Sequence, residues 1–208
     1  MRSSGILMHI TSLPGPYGVG SIHPEAALTE ENGRVKNPDY LRTYTVYYSP
    51  LPAYTESWQK AAEDVPQQLT QLPNDTLEAA RQYLARELPE LDTVSGVWSK
   101  AKAIAEHVSR SARYSLQTAQ MPQTSNDFAL WFLEESETGY CIHFASATTV
   151  LLRAAGIPAR YVTGYLVSAN PTVTTKVTKG DAHAWAECYV DGVGWVPLEA
   201  TPGYSVSQ

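Results

Sequence analysis

The sequence predicts an α+β domain, in which helices come first along the chain and consecutive strands follow. Between residues 77 and 155, apolar side chains recur with the 3.6-residue period of amphipathic helices. From residue 160 onwards, β-branched and aromatic runs alternate with glycine-containing turns, which is typical of strands. Because these strands follow one another directly, we expect helices packed against an antiparallel sheet.

The composition is that of one globular domain with a short appendage. Of 208 residues, 43% are hydrophobic and 17% are charged, which excludes a disordered chain. The net charge of −6, without any run of Lys or Arg, argues against a nucleic-acid partner. No stretch has the length of a membrane-spanning helix, and no N-terminal pattern resembles a secretory signal. We therefore expect neither a membrane segment nor a targeting signal in this chain.

The N-terminal third differs from the remainder. Residues 1–22 combine a strand candidate at 4–10 with a turn-rich loop at 13–20. This stretch resembles the extreme N-terminus of 4-α-glucanotransferases, which implies glucan transfer. The large barrel and downstream acidic residues of those enzymes have no counterpart here, so we interpret 1–22 as an appended leader. Residues 23–65, with the strand-prone run YTVYY, are interpreted as a linker or the remnant of a preceding domain.

Three helices are expected within residues 66–208, the proposed catalytic domain. Residues 74–76 offer N-caps for a helix over 77–84. A second helix is expected over about 94–112. The third begins at Cys141, carries a wide apolar stripe, and ends at Gly156.

The expected strands include a hairpin that sets the relation between two polar side chains. The strands are predicted at residues 160–166, 183–190 and 195–199, after a polar loop at 168–180. A turn centred on Asp191 puts His183 directly opposite Glu199, whereas a tight two-residue turn puts Glu199 on the other face. We expect an odd-length loop or a bulge, which Gly192 and Gly194 can accommodate.

Cys141 is a candidate nucleophile because of its predicted position at the start of a helix. Unpaired N–H groups and the positive end of the helix dipole favour a thiolate there and can hold a developing oxyanion. The alternative is an ordinary packed cysteine. Two cysteines make no disulfide framework. We expect Cys188 to be a buried strand thiol that is chemically inert.

His183 and Glu199 complete a possible relay. A lone His beside Trp is usually structural, and a Glu at a strand end is usually solvated. A Cys nucleophile, however, needs a base to deprotonate it, and the base needs a carboxylate to orient it. His143 cannot serve, because side chains two apart on a helix do not face each other. We interpret His143 as a structural or rim residue.

Five separated motifs carry a resemblance to a known family. They are GYCIHFA at 139–145, LRAAGIPAR at 152–160, VTGY at 162–165, DAHAW at 181–185 and GWVP at 194–197. Together they resemble the transglutaminase-like superfamily, a branch of the papain-like cysteine fold, and within it bacterial membrane proteins with such a domain outside the cytoplasm. The resemblance implies a triad of Cys141, His183 and Glu199 and an extracytoplasmic location. The family usually has Asp-Pro-Thr where this chain has Glu199-Ala200-Thr201.

The implied activity is acyl transfer from an amide through a thioester. The substrate is a protein or peptide with an amide side chain or a peptide bond, and the acceptor is an amine or water. The scheme requires no metal and no organic cofactor. The second oxyanion donor stays open among Tyr114, Trp131 and Tyr140. The alternative function is a non-catalytic binding or assembly module of the cell envelope on the same scaffold, suggested by the altered Glu199 motif.

Overall fold

The computed structural model describes residues 67–167, 176–190 and 194–204, and the backbone of five strands within residues 8–50. The chain divides into two compact units. The larger contains Tyr54–Val162 and Ala184–Ser205, and the smaller contains Met1–Ala53, Thr163–His183 and Val206–Gln208. The predictions for the first seven residues, for 11–16 and for the loop at 168–175 lie outside the described residues.

Helix α4 is the centre of the larger unit. Its four described α-helices are α1 (Asn74–Glu87), α2 (Val97–Ser111), α3 (Phe128–Glu134) and α4 (Cys141–Ala154). Each of the other three contacts α4. Phe144, Leu151 and Leu152 of α4 are fully buried, so the predicted apolar stripe forms the core. None of the described helices is long and apolar enough to span a bilayer.

The two ends of α4 agree with the prediction. The helix starts at Cys141, and Gly156 follows its last turn with φ of 75°. That left-handed backbone favours glycine. The N–H of Ile157 donates to the carbonyl of Leu152 at 2.9 Å, which closes the helix in a Schellman-like turn.

The start of α1 differs from the prediction. Asn74 is already helical, and Pro73 is the N-cap residue, whose carbonyl accepts the N–H of Leu77 at 2.8 Å. The polar residues therefore lie inside the first turn instead of capping it. Thr76 donates its hydroxyl to the carboxylate of Asp127 at 2.7 Å. The cap prediction was wrong because a tertiary hydrogen bond uses the side chain that was expected to cap.

The described strands comprise one four-stranded sheet and three pairs. They are β1 (Met8–Ile10), β2 (Tyr17–His23), β3 (Thr29–Glu31), β4 (Arg34–Lys36), β5 (Thr45–Pro50), β6 (Arg113–Tyr114), β7 (Thr138–Gly139), β8 (Ala159–Val167), β9 (Ala182–Val190) and β10 (Gly194–Leu198). The sheet order is β1-β8-β9-β10, and the pairs are β2 with β5, β3 with β4, and β6 with β7. Helices combined with an antiparallel sheet confirm the predicted α+β class, although β1 joins β8 in parallel.

Part of the predicted N-terminal loop is a strand. Residues 17–20 belong to β2, which pairs in antiparallel fashion with β5. The pattern of glycine and proline predicted a loop because it contains no information about a partner strand. Pairing with β5 makes these residues a strand. The strand predicted at 44–48 is confirmed as β5, which reaches Pro50.

The hairpin of β9 and β10 has a different register from the expected one. Gly194 pairs with Val190 and Leu198 with Ala186, so three residues connect the strands. The loop length is odd, as predicted, but its centre is Gly192, because Gly194 already belongs to β10. One further step of this register brings Glu199 level with Trp185, so the direct opposition of His183 and Glu199 was wrong.

Candidate active site

Cys141 is the first residue of α4 and is partly exposed. The N-cap residue Tyr140 is extended and makes no side-chain hydrogen bond to the helix. Its carbonyl accepts the N–H of His143 at 2.8 Å. The N–H groups of Cys141 and Ile142 therefore have no side-chain cap, unlike those at the start of α3, where Asp127 accepts two. A helix start of this kind attracts negative charge.

Gly139 fixes the backbone that leads into Cys141. A Cβ at this position would lie 2.5 Å from Cε2 of Phe132 and 2.9 Å from Cβ of His143, so only glycine fits. Its carbonyl accepts the N–H of Ser115 at 2.7 Å, and Gly139 pairs with Tyr114 between β7 and β6. The glycine before the cysteine thus serves packing, and the β6 pairing brings Tyr114 beside the start of α4.

His143 is a structural residue, which confirms one of the two predicted roles. It is 4% exposed, and its Nδ1 accepts the N–H of Tyr140 at 3.3 Å. The rings of Phe128, Phe132 and Tyr140 lie 4.8, 5.3 and 4.7 Å from its own. Burial lowers the pKa of His143. A neutral imidazole therefore secures the N-terminus of α4.

Two of the three candidate oxyanion donors stay compatible with the structure. Trp131 is 5% exposed and packs against Phe128 and His143, so it belongs to the core. Tyr114 is 40% exposed, and Tyr140 directly precedes the cysteine. Burial raises the pKa of Tyr114, and a hydrogen bond with Tyr204 and electrostatic interactions with Tyr204 and Cys141 raise it further.

His183 is the second residue of β9 and is buried. Just before it, a 3₁₀ turn spans Lys179–Asp181. The carboxylate of Asp181 accepts the backbone N–H of Thr178 at 2.6 Å and its hydroxyl at 2.8 Å, and these bonds lower the pKa of Asp181. The chain therefore enters β9 from a fixed turn. His183 belongs to the smaller unit and Cys141 to the larger, so each is positioned by its own element.

Glu199 follows the last residue of β10. Its Oε1 accepts the backbone N–H of Thr201 at 2.8 Å, across two residues. An Asp makes the same bond in an Asx turn. The longer Glu199 side chain thus closes a local turn of the same kind.

A buried ion pair between Arg160 of β8 and Glu187 of β9 joins the two strands. Arg160 donates from Nε and Nη2 to Oε2 of Glu187, at 2.7 and 2.6 Å. Nε1 of Trp185 donates to Oε1 of the same carboxylate at 3.1 Å, and the Arg160 guanidinium lies 4.2 Å from the Trp195 ring centroid. Arg160 is therefore not a solvated strand residue. The sequence contains one signal for this pair: Glu187 interrupts a mostly apolar strand, between HAWA and CYV. A buried acidic side chain usually has a partner.

Cys188 is the buried thiol that the sequence predicted. It is 0% exposed, and burial raises its pKa far above the ordinary range. Among the described residues, no group of three or more His, Cys, Asp and Glu side chains could hold a metal ion.

The chain is similar to several known proteins. Over 218 aligned residues and 91% of the chain, it is 30% identical to the protein YebA of Bacillus subtilis. An 86-residue segment, 40% of the chain, is 41% identical to a protein-glutamine gamma-glutamyltransferase of Pseudomonas aeruginosa. The chain spans 29% and 13% of the lengths of these two relatives.

A solved structure and a family model complete the comparison. The periplasmic domain of TgpA from Pseudomonas aeruginosa, bound to ethylmercury, has a TM-score of 0.65 and 23% identity. The match covers 95% of this chain and 72% of that one, which shows a shared fold. The model of the transglutaminase-like superfamily matches residues 65–200, more than half of the chain. The chain therefore belongs to the transglutaminase-like superfamily.

Proposed function

We propose that this protein catalyses cysteine-dependent acyl transfer from amide substrates. The observation that carries the proposal is the location of Cys141, a partly exposed thiol at the uncapped start of α4 within the family-matched domain. The helix dipole and the first N–H groups favour negative charge at that point. His183 is proposed as general base and acid, and Glu199 as the carboxylate that orients it.

The first half-reaction forms a thioester. The Cys141 thiolate attacks the carbonyl carbon of the amide, and the C–O π electrons move to oxygen. The N–H groups at the start of α4 stabilise this oxyanion. When the oxyanion collapses, the C–N bond breaks, and His183 gives its proton to the leaving nitrogen. With a glutamine carboxamide the leaving group is ammonia, and the acyl group stays on Sγ.

The second half-reaction returns the enzyme to its starting state. An amine or water attacks the thioester carbon, and His183 takes the proton of the nucleophile. The C–S bond then breaks and the thiolate is restored. An amine yields a new amide, and water yields a carboxylic acid.

Glutamine side chains of proteins are the proposed acyl donors. This follows from the relative named protein-glutamine gamma-glutamyltransferase, which is 41% identical over its matched segment. An extracytoplasmic location is proposed as well, because the fold is shared with the periplasmic domain of TgpA. The division of the chain into residues 1–22, 23–65 and 66–208 is also part of this proposal. So is the interpretation of residues 1–22 as a leader that resembles the N-terminus of 4-α-glucanotransferases.

The test is turnover of a glutamine peptide in the presence and absence of a primary amine. Ammonia release and amine incorporation are measured for the wild type, for Cys141→Ala, and for Cys188→Ala as the matched thiol control. We expect turnover by the wild type and Cys188→Ala, and none by Cys141→Ala. Equal turnover by all three proteins contradicts the proposal.

The same experiment decides the non-catalytic alternative. If a folded wild type neither releases ammonia nor captures an acyl group on Cys141 by mass spectrometry, the function is that of a binding or assembly module. A trapped acyl-Cys141 adduct without release supports the first half-reaction and rules out that module.

A further inference from the structure

We propose that three tyrosines beside Cys141, which we name the tyrosine rim (Tyr114, Tyr161 and Tyr204), bind the aromatic side chains that flank the reactive glutamine of a polypeptide donor. This inference rests on the proposed acyl transfer and names the substrate sequence that the same site selects. The proposed ligand of the rim is the acyl donor, because the donor must reach Cys141 before any acceptor can react.

The exposure of these rings is unusual within the described part of the chain. Large apolar side chains are normally buried, yet Tyr114 is 40%, Tyr161 36% and Tyr204 39% exposed. The other exposed large apolar side chain among the described residues is Leu116, two positions after Tyr114. Exposed aromatic rings that cluster, unlike isolated ones, mark binding surfaces.

The rim is connected to the start of α4 by backbone pairing and ring contact. Tyr114 pairs with Gly139 between β6 and β7, and Gly139 lies two residues before Cys141. The ring centroid of Tyr204 lies 6.0 Å from that of Tyr114, at an interplanar angle of 54°. All three tyrosines and Cys141 belong to the larger unit. Tyr114 and Tyr204 therefore form an exposed aromatic pair close to the start of α4, where the proposed donor presents its carbonyl to Sγ.

The electrostatic character of the rim favours uncharged, ring-bearing side chains. Burial raises the pKa of Tyr161, and electrostatic interactions with Cys141 and Tyr140 add to this. The pKa of Tyr114 is raised for the reasons given above. A raised pKa keeps the phenols of Tyr114 and Tyr161 neutral, and all three rings of the rim offer apolar faces with hydroxyl tips. Tilted aromatic pairs gain about tenfold in affinity over a side chain without a ring.

The first arm of the test measures binding in the Cys141→Ala background, so that it does not depend on turnover. The probes are acetylated pentapeptides Gly-X-Gln-X-Gly with a C-terminal amide, where X is Phe, Gly or Lys. Isothermal titration calorimetry gives the Kd of each. We expect the Phe peptide to bind about tenfold tighter than the Gly peptide, and the Lys peptide no tighter than the Gly peptide.

The second arm assigns the preference to the rim. In the same background, Tyr204→Ala lowers the Phe-to-Gly affinity ratio to near one, whereas Tyr204→Phe, which keeps the ring, retains it. Tyr161→Ala is the second variant if Tyr204→Ala proves unfolded by circular dichroism. A ratio near one in the parent, an unchanged ratio in both alanine variants, or tightest binding of the Lys peptide overturns the proposal. The last result indicates capture of a cation by the rings.

Wild-type turnover of the same peptides separates the two proposals. Turnover of all peptides at equal kcat/KM upholds acyl transfer and overturns the rim. Selective binding of the Phe peptide without turnover of any peptide upholds the rim and overturns acyl transfer.

Discussion

The start of α4 and the middle of β9 each carry one of the two cysteines, in opposite surroundings. Cys141 is partly exposed at a helix terminus whose first N–H groups lack a side-chain cap. Cys188 has no exposed surface, and burial strongly raises its pKa. The difference teaches that thiol chemistry here is decided by the local backbone and by burial, because the residue type is the same.

The two regions also differ in what their polar groups do. Around β9, the polar side chains satisfy each other: Glu187 accepts from Arg160 and from Trp185. At α4, the polar side chain of His143 secures the N-cap amide. The N–H groups of Cys141 and Ile142 receive no side-chain cap from the N-cap residue. The strand region is therefore stabilised by its polar side chains, and the helix start is the place of the proposed chemistry.

The largest expected effect is a loss of stability when the ion pair of β9 is broken. Glu187→Ala leaves Arg160, whose side chain is 19% exposed, without its carboxylate. Removal of one partner from a buried ion pair costs about 3–5 kcal/mol. We expect that loss in the free energy of unfolding, measured by urea denaturation. The matched control is Glu134→Ala, which removes an exposed partner of Arg86 and costs at most about 1 kcal/mol. Equal losses in both variants contradict the account.

The next largest expected effect is a difference in alkylation rate between the two thiols. In the native protein, iodoacetamide should alkylate Cys141 at least about a hundredfold faster than Cys188, because only the thiolate reacts and burial suppresses it at Cys188. Peptide mapping by mass spectrometry gives both rates. In 6 M guanidinium chloride the rates should become similar. A native protein in which Cys188 reacts first would show that its burial does not protect it.

The smallest effect concerns pH at the helix start. Because burial lowers the pKa of His143, the unfolded chain binds its proton more readily than the native protein does. Stability is therefore complete above the ordinary His range and falls as pH drops through about 6.5 towards the folded pKa. We expect a loss of at most about 1 kcal/mol between pH 7.5 and 5.5 that is attributable to this residue.

The measurement for His143 is the unfolding free energy at both pH values for the wild type and His143→Asn. His107, whose pKa burial also lowers, contributes a similar slope and remains in both proteins. The variant should therefore keep a smaller pH dependence than the wild type. An identical dependence in the two proteins would show that His143 is not held neutral.

Much of the helical region was predictable, because both boundaries of α4 and the apolar period have local causes. Gly156 ends α4, and the apolar period identified Phe144, Leu151 and Leu152 as core. The inert state of Cys188 followed from its position within a strand. In these cases, residues close in sequence decide the structure.

The remaining features depend on residues far apart in sequence. The register of the hairpin depends on whether Gly194 belongs to the loop or to β10. The pairing of Gly194 with Val190 shows that it belongs to β10. Thr76 bonds to Asp127 instead of capping α1, and Arg160 pairs with Glu187 from another strand. Local patterns do not identify such distant partners, which explains why the register was wrong and why Glu187 was not named as the partner of Arg160.

The central claim is that Cys141, His183 and Glu199 act as one relay, and a double-mutant cycle on kcat/KM for a glutamine peptide tests it most directly. His183→Ala should lower kcat/KM about a thousandfold, and Glu199→Gln about ten- to a hundredfold. If Glu199 acts through His183, the double variant loses no more than His183→Ala alone. Losses that multiply in the double variant, or a Glu199→Gln variant as active as the wild type, would contradict the relay.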